Sequence, residues 1–128
     1  MAMSFIRFNA NPLHRNTGDC TVRAISTLMN QSWEDTHADL AMTSFYLYDM
    51  PSSNRSWGEY LYLNGYRSHM IPDTCPACYS IKQFCRDHPT GRYLLATGSH
   101  VVAVIDGDYY DTWDSGNEVP VYYWRKEN

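Results

Sequence analysis

The stretch Gly98-Ser99-His100-Val101-Val102-Ala103-Val104-Ile105-Asp106-Gly107-Asp108-Tyr109-Tyr110-Asp111-Thr112-Trp113-Asp114 decides how this chain is read. Two runs rich in β-branched and aromatic residues flank Asp106-Gly107, and an Asp-Gly pair supplies the positive φ that a type I′ hairpin turn needs. The segment therefore reads as two antiparallel strands. If Asp106 and Gly107 are the two turn residues, Ile105 faces Asp108 and His100 faces Trp113, with Asp114 next in line. If the turn takes Asp106 to Asp108, Ile105 faces Tyr109 and His100 lies opposite Asp114. Directly opposed residues hold their Cβ atoms about 5 Å apart, close enough for an imidazole to meet a carboxylate. Either register brings Asp114 near His100. The first also places Asp111 on the histidine's face, which makes Asp111 the second choice.

Outward from the hairpin, Arg92 to Thr97 and Val119 to Arg125 read as further strands, and Tyr66 to Ile71 as a strand ended by Pro72. Ser80 to His88 reads as a short helix with Ile81, Phe84 and Cys85 on one side. The loop Asn9 to Asp19 leads into a helix that starts near Asp19 or Cys20, capped by Thr17 or Asp19, with Val22, Ile25, Leu28 and Met29 at helical spacing. A second helix follows Ser32, whose pairing with Asp35 fits a capping box, and its inner face is Trp33, His37, Leu40 and Ala41. A third starts at Ser56 and stops at Asn64-Gly65. Helices first and an antiparallel sheet afterwards predict an α+β domain. The length of 128 residues predicts one domain spanning 1–128.

Composition narrows the function classes. With 44% hydrophobic and 19% charged residues the chain is not of a disordered type. A net charge of -4, with Arg15, Arg23, Arg55, Arg67, Arg86 and Arg92 scattered, argues against a nucleic-acid partner, which needs a basic stripe. No apolar run approaches the roughly 20 residues that cross a bilayer, so no membrane partner is expected. Met1 to Asn11 holds no apolar signal-peptide core, so a cytoplasmic location is expected. There, a disulfide scaffold built on Cys20, Cys75, Cys78 and Cys85 is not the natural reading.

Cys20 follows Gly18-Asp19 and opens a helix, where the positive end of the macrodipole favours a thiolate. A buried structural cysteine is the plain alternative. His100 tips the balance: Gly98-Ser99 delivers it at the mouth of an apolar strand, beside a carboxylate from the next one. Such a carboxylate fixes the imidazole tautomer and leaves the other nitrogen to take a proton from sulfur. The candidate catalytic residues are Cys20 as nucleophile, His100 as general base and Asp114 as the orienting acid. Asn16 and the Cys20 backbone N–H are candidate oxyanion donors, with His14 a weaker one. Cys75, Cys78, Cys85 and His88 have spacing that suits zinc, but the loop and an amphipathic helix explain them as well. No cofactor or metal is assigned.

In order and local pattern, Asn16-Thr-Gly-Asp-Cys20-Thr-Val-Arg-Ala-Ile25, Gly98-Ser-His100 and Tyr110-Asp-Thr-Trp-Asp114 resemble the papain-like cysteine peptidase superfamily, in its compact bacterial and phage-borne branch. The resemblance implies a papain-like fold with the nucleophile at the start of the first long helix. It also implies a thiol protease-type hydrolase cleaving an amide or isopeptide bond of a peptide or protein through a thioester. The family's Gln upstream of the cysteine is missing. A transglutaminase-like acyl transferase with the same triad, and a non-enzymatic binding or inhibitory protein on that scaffold, are the alternatives.

Overall fold

The computed structural model describes residues 4–72, 74 and 76–127. Among them lie β1 (Phe5–Arg7), α1 (Cys20–Met29), α2 (Trp33–Leu47), α3 (Asn54–Leu63), β2 (Tyr66–Met70), α4 (Ile81–Asp87), β3 (Arg92–Ala96), β4 (Val101–Ile105), β5 (Asp108–Asp111) and β6 (Tyr122–Lys126). The α+β class expected from the sequence is the one observed. The strands form a six-stranded sheet in the order β1-β5-β4-β3-β6-β2.

One expectation is corrected: the sheet is mixed rather than antiparallel. β1 lies along β5 in parallel, pairing Phe5 with Tyr109 and Arg7 with Asp111, while the other neighbours are antiparallel. A strand of three residues is too short to display an alternating pattern, so nothing in the sequence announced it. Its hold is nevertheless firm: the Phe8 N–H donates to the Asp111 carbonyl at 2.9 Å and the Arg7 guanidinium to the Thr112 carbonyl at 2.6 Å. The end of β5 is thereby pinned.

The β4–β5 hairpin takes the two-residue turn. Ile105 pairs with Asp108 and Ala103 with Tyr110, and Asp106 and Gly107 hold φ of 50° and 82°. The run Val101 to Val104 is buried throughout because both faces of the sheet are covered. Val101 and Ala103, with Leu94 and Ala96 of β3, meet Val22, Ile25 and Leu28 of α1 and Leu40, Trp57 and Leu61 of α2 and α3. Val102, Val104 and Leu95 meet Ile81, Phe84 and Cys85 of α4. Each fully buried Leu or Ile contributes about 1.5–3 kcal/mol, so Ile25 and Leu28 anchor α1 on the sheet. Arg92 of β3 adds a polar tie, donating to the Leu28 and Thr27 carbonyls at 2.8 and 3.1 Å at the end of α1.

Two helix details differ from expectation. α3 starts at Asn54, because Ser53, not a later residue, caps it by accepting from the Ser56 N–H at 3.1 Å. The inner face of α2 is Thr36, Leu40 and Ser44, whereas His37 is exposed and stacks on Trp33 with ring centroids 5.0 Å apart.

Candidate functional site

α1 begins at Cys20 with Asp19 in the cap position, yet the Asp19 side chain makes no capping bond. The buried carboxylate instead accepts from Arg23 at 2.5 Å, from the Trp33 indole N–H at 3.0 Å and from the Asn11 amide at 3.2 Å. Three donors therefore satisfy Asp19 away from the helix axis, and the first-turn N–H groups stay open to an anion. They also fix the backbone that delivers Cys20.

His100 is delivered by the turn between β3 and β4. The Thr97 N–H and hydroxyl both donate to the His100 carbonyl, at 2.8 and 3.3 Å. Nε2 lies 2.7 Å from Oδ2 of Asp111, and the ring shares a cleft with the Cys20 thiol, near enough for each to shift the other's titration. With Nε2 on Asp111, Nδ1 is the nitrogen left for the sulfur. Burial acts to raise the Cys20 pKa, but the His100 ring, the Val101 N–H and the imidazole charge outweigh it, and the thiol is held below its ordinary value. Asp111 and Cys20 together lift His100 to about 9 against the opposing effect of burial. Both shifts favour the thiolate–imidazolium form of the pair over the neutral one. The Trp113 ring stands 5.4 Å from the imidazole, centroid to centroid, as a partial cover.

Here the structure corrects the expected triad. Asp111, not Asp114, is the carboxylate on His100. Continuing the Ala103–Tyr110 pairing by one step sets Asp111 opposite Val102, diagonal to His100 on the same face. Asp111 is buried and further held by the Ser115 hydroxyl at 2.7 Å and the Thr112 N–H at 2.8 Å. Asp114 turns the other way. It accepts from the Tyr109 hydroxyl at 2.5 Å and the Gly116 N–H at 3.0 Å, and these bonds lower its pKa. Gly116 must be glycine there, since a Cβ would collide with the Tyr109 hydroxyl and with Lys82 at 2.7 Å. Ser115 escaped the sequence reading, because no spacing rule singles out a serine that meets a carboxylate four residues back.

The thiol and the imidazole open onto a cleft of about 220 Å³, also lined by Thr21, Asn54, Trp57 and Ser99. Asn16 and His14, the expected oxyanion donors, are exposed and do not line it. Asn54 of α3 does. Its Oδ1 accepts from the Trp57 indole N–H at 3.1 Å, which fixes the amide plane and leaves Nδ2 to donate. The sequence, read as starting this helix at Ser56, offered no sign of a role for residue 54.

The zinc reading does not gain. Cys78 is disulfide-bonded, and Cys75 lies outside the described residues. Cys85 is buried in the core, where loss of solvent and then Asp108 push its thiol up to about 12. His88 stacks on Phe84 at 3.8 Å. Among the described residues no three His, Cys, Asp or Glu side chains converge as ligands, and no helix is long and apolar enough to cross a membrane.

No family model matches the chain, and no curated protein or solved structure is significantly similar to it.

Proposed function

We propose that the chain is a cysteine hydrolase on a papain-like scaffold, cleaving an amide or isopeptide bond of a peptide or protein. The observation that carries this reading is an imidazole bonded through Nε2 to a buried carboxylate and sharing a cleft with a thiol whose charged form it favours. A structural cysteine has no use for such a pair.

The Cys20 thiolate attacks the scissile carbonyl and forms a C–S bond. The carbonyl oxygen gains the negative charge, and the Cys20 backbone N–H and Asn54 Nδ2 are the donors in the cleft suited to receive it. His100, charged at the outset, gives its proton to the departing amine as the C–N bond breaks. The neutral ring then takes a proton from water, whose oxygen attacks the thioester; the C–S bond breaks, the acid leaves, and the thiolate and charged His100 are restored. Asp111 keeps the ring oriented through the cycle and stabilises each imidazolium stage, and Ser115 and Thr112 hold Asp111.

The test is turnover of a quenched-fluorescence peptide library by the wild type and by Cys20→Ala, with intact-mass detection of an acyl-enzyme. The expected result is cleavage by the wild type, a thioester mass on Cys20, and loss of cleavage to background in a variant that still melts cooperatively. Equal cleavage by Cys20→Ala would end the proposal.

A further inference from the structure

A second cavity, of about 390 Å³, adjoins the cleft. Gly18, Thr21 and Ser52 line both, so one surface runs continuously from the nucleophile into it. Its titratable lining consists of Arg15, His37 and Asp19. Asp19 is buried and already satisfied by Arg23, Trp33 and Asn11, so its charge is matched within the protein. Arg15 is exposed, and no ion pair among the described residues involves it. Thr21 and Val22, from the uncapped first turn of α1, bring the positive end of that helix to the same wall. The cavity is thus locally cationic in a chain whose net charge is -4. Trp33 supplies an apolar wall, anchored by its N–H on Asp19 and backed by His37.

We propose that this cavity is a carboxylate-binding subsite, which takes an acidic group of the peptide substrate next to the bond that Cys20 attacks. The inference rests on the hydrolase reading and names the substrate class for it. Arg15 pairs with the carboxylate, and the Trp33 face packs on the methylenes that carry it. An Arg guanidinium suits this task because its planar fork matches a carboxylate. The carboxylate comes from a Glu or Asp side chain or from a peptide's C-terminus, and the two sources are separable.

The experiment measures second-order labelling rates of Cys20 with peptidyl electrophiles that are identical except for Glu, Gln or Lys beside the warhead. Each is made with a free or an amidated C-terminus. Wild type is compared with Arg15→Gln and with Arg86→Gln, a charge change in α4 away from both cavities. In the wild type, Glu exceeds Gln by about fivefold, the upper end for a partly exposed ion pair, and Lys is slowest. The ratio shrinks with added salt. It collapses toward one in Arg15→Gln and persists in Arg86→Gln. A preference set by the free terminus, and not by Glu, assigns the cavity to a terminal carboxylate. Equal rates for all acidic and neutral probes, or a ratio unaltered in Arg15→Gln, overturn the subsite while leaving the hydrolase in place. Failure of every probe to label Cys20 removes both.

Discussion

Cys20 and Cys85 are both free thiols, half-buried and buried respectively, and they sit against opposite faces of one sheet. Their environments drive them apart. Cys85 lies in the middle of α4 among Phe84, Ile81 and Val104, where no cation or donor offsets the cost of charging it, and its pKa is pushed up to about 12. Cys20 opens a helix and shares a cleft with His100 and Val101, whose imidazole and N–H hold its pKa down despite burial. The helix starts differ in the same way. Ser32, Ser53 and Ser80 each turn a hydroxyl onto the first-turn amides of α2, α3 and α4. Asp19 withholds its carboxylate from α1. A cap is worth about 1 kcal/mol of stability, and forgoing it leaves the amides to an incoming anion. Burial alone therefore does not make a thiol inert; what decides is whether anything nearby stabilises the charge.

The variant expected to sharpen the contrast most is Asp111→Asn. It keeps the shape but removes the charge that lifts His100, and it should lower kcat/KM at least about a hundredfold. Asp114→Asn should leave the rate within about threefold and act on the thermal melt, because its partners are Tyr109 and Gly116. A larger rate loss in Asp114→Asn would reverse the assignment of the acid. A smaller effect is expected from Ser115→Ala. The hydroxyl only holds Asp111, so kcat should fall about tenfold with KM little changed. The alkaline limb of its pH profile should move down, since a looser Asp111 supports less of the shift in His100. An unchanged profile would make Ser115 a packing residue.

What the sequence disclosed and what it hid follow from range. The Asp106-Gly107 turn is written in two adjacent residues, so the hairpin and one of its two registers were legible. Cys20 at a helix start and His100 at a strand mouth were legible for the same reason: loop composition and small residues announce them locally. The choice between Asp111 and Asp114 was not. It depends on β5 ending at Asp111 and on the chain then folding Asp114 back onto Tyr109, a turn that Gly116 permits. β1 was hidden by its shortness, though it clamps the strand end that carries the acid. The diversion of Asp19 needs Trp33 and Asn11, brought from either side, and so could not be read from Cys20's neighbours alone.

The account's central claim is that His100 makes the Cys20 thiol acidic, and iodoacetamide alkylation followed by peptide mass spectrometry tests it directly. Rates at Cys20 and Cys85 are measured across about pH 5 to 10, in the wild type and in His100→Ala. For the wild type, the account predicts half-maximal reactivity at Cys20 below the ordinary thiol value of 9.0, with Cys85 silent throughout. In His100→Ala the Cys20 midpoint should rise, because burial is then opposed by fewer groups. A Cys20 midpoint at or above 9.0 in the wild type, or one that His100→Ala leaves in place, would contradict the account.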